Sequence, residues 1–248
     1  YRGSAEVVGT ALLTLAVGQL LRFGWTATFL VYTFCFLVLG LFLFFVPYEK
    51  GEVHQHKQAQ KEKMTAGQFR FTLLSALVAG VIVLSNTAIN LRVPSLVLYH
   101  QIGTAQTASL ILSAMQLIGI VAGVSFAPMV GIFKDRLLTI IGICFGLSLI
   151  LIGLSSNIWL LAFSALFAGF TYSITLTTIF HTVSEKIPPH LINQAVSITV
   201  LGCSGGASVT TFILSLIGHL SQAPLFIFSV LGGVMMIIAM LSYNITKE

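Results

Sequence analysis

Apolar stretches of about 20 residues recur along almost the whole sequence, and this pattern limits the possible fold more than any other feature. A helix of that length spans a hydrocarbon core of about 30 Å. Only 8% of the 248 residues are charged, which is about a third of the share typical of a soluble domain. A transmembrane β-barrel would need segments of about ten residues that alternate apolar and polar positions, and none occur. The sequence therefore predicts an all-α polytopic membrane protein.

The apolar stretches predict eight transmembrane helices. Their expected ranges are 4–21, 25–46, 69–99, 104–131, 138–155, 157–180, 193–218 and 224–243. Pro94 lies inside the long third helix and is expected to kink it. A polar segment, residues 47–68, is interpreted as a cytoplasmic linker between a two-helix piece, residues 1–46, and a six-helix bundle, residues 69–248.

Basic residues are distributed unequally between the two sides of these eight helices. Only Arg22 and Arg92 fall on one side, while every other Lys and Arg falls on the opposite side. Cytoplasmic connections are enriched in Lys and Arg, so we expect a multi-pass protein of the cell membrane with both chain ends in the cytoplasm. This topology accounts for the net charge of +5 without a nucleic-acid partner.

The three cysteines lie far apart inside apolar stretches, at Cys35, Cys144 and Cys203. Their spacing indicates neither a disulfide framework nor a metal site. We expect no cofactor and no bound metal.

Polar residues recur at helical spacing within four of the predicted helices. Polar side chains inside a membrane usually face a cavity or a neighbouring helix, so we predict a water-filled pathway. Its candidate lining residues are Asn86, Asn90, Arg92, Ser113, Gln116, Thr171, Thr175, Thr178, Ser204, Ser208 and Thr211. The alternative is that Ser and Thr hydroxyls bond back to their own helices, and that Arg92 extends to the membrane interface. The second, fifth and eighth helices lack such stripes and are expected to face lipid.

The segment GCSGG, residues 202–206, has two interpretations. It fits the G-x-S-x-G pattern, which would make Ser204 the nucleophile of an intramembrane serine hydrolase. However, that pattern needs a strand-to-helix turn, and no histidine is predicted at the depth of Ser204. We favour close helix packing through Gly202, Gly205 and Gly206, and we do not expect an enzyme.

The segment GIFKDRLLTI, residues 131–140, resembles a loop of the major facilitator superfamily with the pattern G-x-L-x-D-R-x-G-R-R. Gly131, Asp135 and Arg136 match, whereas Leu138 and Thr139 stand where the pattern has Gly and Arg. GQLLRFGWTATFLVY resembles the turn between helices five and six of that family, and VPSLVLYHQIG resembles the end of helix seven. The resemblance covers essentially the whole chain. It implies helices five to twelve of a twelve-helix bundle, with the N-terminal part missing from this sequence.

The resemblance also implies a function, which is alternating access between two rocking halves. We expect secondary active transport of a small organic solute by a monomer in the lipid bilayer, as efflux coupled to protons. Metabolite uptake is the alternative, and a truncated product without transport activity is another. The exporter pattern G-P-x-x-G of helix five retains only Gly18.

The resemblance further assigns Gly131, Asp135 and Arg136 to a cytoplasmic gate loop. Asp135 is expected to reach the start of the first helix, residues 2–5, when the cytoplasmic side closes. A helix start attracts a carboxylate because its unpaired N–H groups carry a partial positive charge.

Overall fold

The computed structural model describes residues 2–45, 64–221 and 223–247, and these ranges are almost entirely helical. The helices are α1 (Arg2–Leu20), α2 (Phe34–Phe45), α3 (Ala66–Tyr99), α4 (Ala105–Phe133), α5 (Leu137–Leu154), α6 (Ile158–Lys186), α7 (Ile192–Leu220) and α8 (Pro224–Lys247). Shorter 3₁₀ segments cover Leu21–Phe23, Trp25–Thr33, Lys134–Arg136 and Pro189–Leu191. No strand occurs in the described ranges, and the predicted all-α fold is confirmed.

The six helices α3 to α8 are long and apolar enough to cross a membrane, whereas α1 contributes a shorter apolar stretch, Gly9–Leu20. Large apolar side chains cover the outside of the bundle, among them Phe36, Phe44, Phe163 and Phe212. An apolar surface of this extent suits contact with acyl chains rather than with water. The chain is therefore a multi-pass membrane protein.

Several helix boundaries differ from the sequence-based expectation for local reasons. α3 begins at Ala66 because Thr65 and Gln68 form a reciprocal capping box, with each side chain accepting a hydrogen bond from the other residue's backbone N–H. Such a box supplies partners for the first free N–H groups of a helix. α6 continues to Lys186 and ends where Pro188 prevents a further turn.

The second predicted helix, residues 25–46, has a different first half. Its segment Trp25–Thr33 is a 3₁₀ helix, and the α-helix α2 starts only at Phe34. The segment is rich in threonine and aromatic residues, whose side chains lose rotamer freedom against the preceding α-helical turn. This composition weakens the preference for an α-helix over the first nine residues.

α3 and α7 approach each other so closely that their backbones touch. A Cβ atom added to Gly202 would collide with the carbonyl oxygen of Ala76, and one added to Gly206 would collide with that of Gly80. The reverse contact is also tight, since a Cβ on Gly80 would lie 2.8 Å from the Gly202 oxygen. Gly205 takes no part, because nothing lies within 4 Å of its Cβ position.

Two other helix pairs use glycine in the same way. Gly146 of α5 and Gly232 of α8 each face the other's carbonyl oxygen, at 2.8 Å and 2.6 Å from the ideal Cβ positions. Gly169 of α6 lies against the carbonyl oxygen of Met115 in α4. Small residues permit close backbone approach between membrane helices, where van der Waals packing is a main source of stability. The six-helix bundle is thus assembled from the pairs α3–α7, α5–α8 and α4–α6.

α1 packs along α4, and the two helices run in opposite directions. Thr14 accepts a hydrogen bond from the amide nitrogen of Gln116 at 3.3 Å. One turn later in α1, Gly18 lies directly against Ser109, so that an added Cβ would overlap the serine side chain. This contact is the seam, the surface along which the first described helix meets the six-helix bundle.

Candidate functional site

A cavity of about 490 Å³ lies between α1, α3, α4 and α6. Its lining residues are Thr10, Leu13, Thr14, Asn86, Asn90, Met115, Gln116, Gly169, Tyr172 and Ser173. We call this space the seam cavity, because α1 and α4 meet at its edge. Among the described residues, none of those that line the cavity comes from α2, α5 or α8, which are the three helices without polar stripes in the sequence.

Two residues that line the seam cavity carry buried amide oxygens for which the described residues provide no partner. Asn86 Oδ1 and Gln116 Oε1 are buried and make no hydrogen bond within the described part of the chain. The other amide groups nearby are used, since Asn90 Nδ2 donates to the Asn86 backbone oxygen at 2.9 Å and Gln116 Nε2 donates to Thr14. A buried acceptor without a donor costs about 1–3 kcal/mol. Both oxygens are closed off from the cavity in this conformation, so a bound solute would reach them only after the side-chain amides turn toward it.

Pro94 adds to the acceptors of α3. The helix continues through this residue, but proline has no N–H to donate to the carbonyl four residues earlier. That carbonyl belongs to Asn90, which lines the seam cavity. Pro94 is not among the lining residues of the seam cavity. Its connection to the cavity is its position four residues after Asn90.

The structure brings together only part of the predicted pathway. Asn86, Asn90 and Gln116 share the seam cavity. Ser113 is 1% exposed and its hydroxyl has no partner in the described ranges, but it does not line that cavity. Arg92 lies on the opposite side of α3, in a different pocket.

The threonine stripe of α6 is buried. Thr171, Thr175 and Thr178 each donate a hydroxyl hydrogen bond of 2.7–2.8 Å to the backbone oxygen four residues earlier. Back-bonding of this kind satisfies the hydroxyl within its own helix. Of the three, Thr178 reaches a cavity, a space of about 320 Å³ that it shares with Lys134, His181 and others.

The serine stripe of α7 faces outward. Ser204, Ser208 and Thr211 are exposed, and Ser208 donates to the Ser204 backbone oxygen at 2.9 Å. None of them lines the seam cavity. Across the described residues, Ser204 has no hydrogen bond to a histidine, and the nearest histidines in sequence, His190 and His219, lie about three to four helical turns away.

The gate loop forms a 3₁₀ turn over Lys134–Arg136, where the φ of Lys134 is 44°. This backbone conformation is unfavourable for residues other than glycine. Gly131 and Arg136 are exposed. The side chains of Asp135 and of residues 2–5 lie outside the described part of the structure, so the expected contact between them stays a prediction.

Sequence reasoning missed Thr14, Tyr172 and Ser173 as lining residues of the seam cavity. Thr14 shares its face with Thr10, one turn earlier, and this pair was not used in the prediction. Tyr172 and Ser173 lie beside the threonine stripe of α6 rather than on it. Ser173 faces Gly119 of α4 so closely that a Cβ added to Gly119 would lie 2.8 Å from the serine hydroxyl. Such a contact depends on helix pairing, which a single sequence does not contain.

Bundles of membrane-crossing helices around a cavity with polar lining residues occur in solute transporters and in other membrane proteins. A family profile described as Major Facilitator Superfamily matches residues 1–211. The chain belongs to the major facilitator superfamily, whose members are secondary transporters. Comparisons with curated proteins and with solved structures found no match.

Proposed function

We propose that the protein transports a small organic solute by alternating access and that the seam cavity binds this solute. The proposal rests on one observation, the pair of buried acceptors Asn86 Oδ1 and Gln116 Oε1 at a cavity of about 490 Å³. A cavity of several hundred Å³ accommodates a small organic molecule. A solute with N–H or O–H donors would give both oxygens their missing partners once the two side-chain amides turn toward the cavity.

The lining also limits the chemistry of the solute. No charged side chain occurs among the described lining residues, and Leu13, Met115 and Tyr172 supply apolar surface. Burial of an unpaired charge is costly in such surroundings. We therefore propose a solute that presents N–H or O–H groups and an apolar face to this part of the protein.

For direction and coupling we propose proton-coupled efflux, in keeping with the family resemblance. Uptake of a metabolite is the alternative direction. An imposed pH gradient across proteoliposomes distinguishes the two, because solute movement against the proton flow indicates exchange and movement with it indicates symport.

A flux measurement tests the cavity. The full-length protein in proteoliposomes would be supplied with uridine, thymidine or chloramphenicol, which are uncharged and carry N–H or O–H donors. We expect Asn86→Leu and Gln116→Leu each to lower the flux of a transported probe by roughly five- to tenfold, as one lost hydrogen bond of about 1 kcal/mol implies. The matched control is Gln194→Leu, which removes an exposed amide at the start of α7 and should leave flux unchanged.

Two results would contradict the proposal. One is equal flux in the wild type and both cavity variants at equal expression. The other is that no probe moves faster than through protein-free liposomes.

The intramembrane hydrolase has less support. Ser204 is exposed, and within the described residues no imidazole bonds to it. A serine nucleophile needs a base within about 3 Å, and α7 provides none near that turn.

A further inference from the structure

A second and larger pocket lies at the other side of α3, near the end of the helix. It has a volume of about 630 Å³ and is bounded by α3, α7 and the start of α8. α7 packs along α3 while α8 packs along α5, which leaves a gap between α7 and α8. The pocket occupies this gap and is separate from the seam cavity.

Arg92 supplies the charge of this pocket. Its guanidinium makes no hydrogen bond and no ion pair with any described residue. An arginine side chain is always charged and offers five N–H donors in a planar fork. A half-buried guanidinium without partners therefore has capacity to bind an anion.

Within residues 2–45, 64–221 and 223–247, no carboxylate belongs to the end of the bundle that holds Arg92. Among the described residues the acidic ones are Glu6, Asp135 and Glu185, and all three belong to the opposite end of the bundle. Lys186, beside Glu185, lies over the ring of Phe71 at 5.2 Å. Phe71 precedes Arg92 by about six turns of the same helix, or roughly 30 Å.

The rest of the pocket is amphipathic. Leu96, Leu214, Ile227 and Phe228 are almost completely buried and form apolar walls. Ser215 and His219 add a hydroxyl and an imidazole on the side of α7. Positive charge beside an apolar wall suits a molecule with an anionic head and an apolar chain.

We propose that this pocket binds the phosphate or carboxylate head of an amphipathic anion through Arg92, with the apolar chain against Leu214 and Phe228. Two sources share this chemistry, an anionic phospholipid of the bilayer and a free amphipathic anion. Arginine binds phosphate and carboxylate through two parallel N–H···O bonds. The proposal does not depend on the solute or the direction proposed for the seam cavity.

Thermal stabilisation of the full-length protein in nanodiscs tests this site. One arm compares phosphatidylcholine nanodiscs with and without phosphatidylglycerol, and the other adds hexyl phosphate to pure phosphatidylcholine nanodiscs. Hexyltrimethylammonium, with the opposite charge, should give no stabilisation. We expect Arg92→Gln to weaken the apparent affinity for the active anion roughly ten- to a hundredfold, as the loss of a charge-assisted hydrogen bond implies.

Arg70→Gln is the matched control, because it removes the same charge from an exposed position at the other end of α3. It should respond like the wild type. Ser215→Phe fills the pocket while Arg92 is kept, and it should weaken binding even if Arg92→Gln proves unstable. A response to phosphatidylglycerol alone assigns a membrane lipid, and a response to hexyl phosphate assigns a free anion. Equal responses of all variants, or no response to either anion, would overturn the proposal.

Discussion

Single atoms decide what each part of this bundle can do. In the seam cavity the deciding atoms are the two amide oxygens of Asn86 and Gln116, which lack donors. At the α3–α7 contact they are the Cα hydrogens of Gly202 and Gly206, which occupy the place of a Cβ atom. In the pocket between α3, α7 and α8 it is the guanidinium of Arg92, which has no counter-ion among the described residues.

Gly206 gives a prediction at this scale. Gly206→Ala should destabilise the protein by about 1–3 kcal/mol, because the new methyl group meets the Gly80 carbonyl in a packed interface. The neighbouring Gly205→Ala is the control, since its Cβ position is open and alanine is favoured over glycine in a helix by about 1 kcal/mol. Unfolding by titration with sodium dodecyl sulfate measures both. A Gly206→Ala variant as stable as Gly205→Ala would show that the helices do not touch there.

At the scale of the helices, sequence and structure agree where periodicity is strong and differ where neighbours decide. The long apolar stretches of α3 to α8 identify these helices because a membrane permits few alternatives to a helix. Gly202 and Gly206 are conspicuous in the sequence because the five-residue segment GCSGG contains three glycines. The contact of Gly146 with Gly232, at 2.8 Å and 2.6 Å from the ideal Cβ positions, was not predicted, since glycines in apolar helices do not reveal which helix they pack against.

The candidate site was less predictable than the helices. Helical spacing placed Asn86 and Asn90 on one face of α3, and both line the seam cavity. The same spacing grouped three α6 threonines whose hydroxyls bond to their own backbone. Spacing defines which residues share a face, but it does not show whether that face meets a cavity, another helix or lipid.

The contact between α1 and α4 gives the prediction at this scale, at Gly18. Gly18→Leu should separate α1 from α4, because the side chain has no room against Ser109. Gly9→Leu should be tolerated, since Gly9 has nothing within 4 Å of its Cβ position. A protease site placed between residues 50 and 64 allows the connection to be cut in detergent.

After the cut, the tagged six-helix bundle should retain the first piece in the wild type and in Gly9→Leu, and lose it in Gly18→Leu. Retention of the first piece by all three proteins would contradict the importance of this seam. Loss of the first piece by all three would do the same.

At the scale of the whole molecule, the gate loop provides the last prediction. If Asp135 holds the start of α1 when one side closes, Asp135→Asn should lower solute flux several-fold at normal membrane insertion. The basis is a contact of about 0.5–2 kcal/mol between a carboxylate and a helix N-terminus. A contact of this energy shifts a balanced two-state equilibrium several-fold. Glu185→Gln is the control, because it neutralises an exposed acid at the same end of the bundle. Unchanged flux in Asp135→Asn would reduce the loop to a simple turn.

The backbone contact between α3 and α7 has a mechanical consequence. Carbonyl oxygens of α3 rest against glycines of α7 at two successive turns, so neither helix can slide or rotate alone without a steric clash. We therefore expect α3 and α7 to move together as one rigid unit. Asn86, at the seam cavity, lies less than two turns from Gly80. We expect a displacement of α3 at Asn86 to move α7 with it, including the end of α7 beside Arg92.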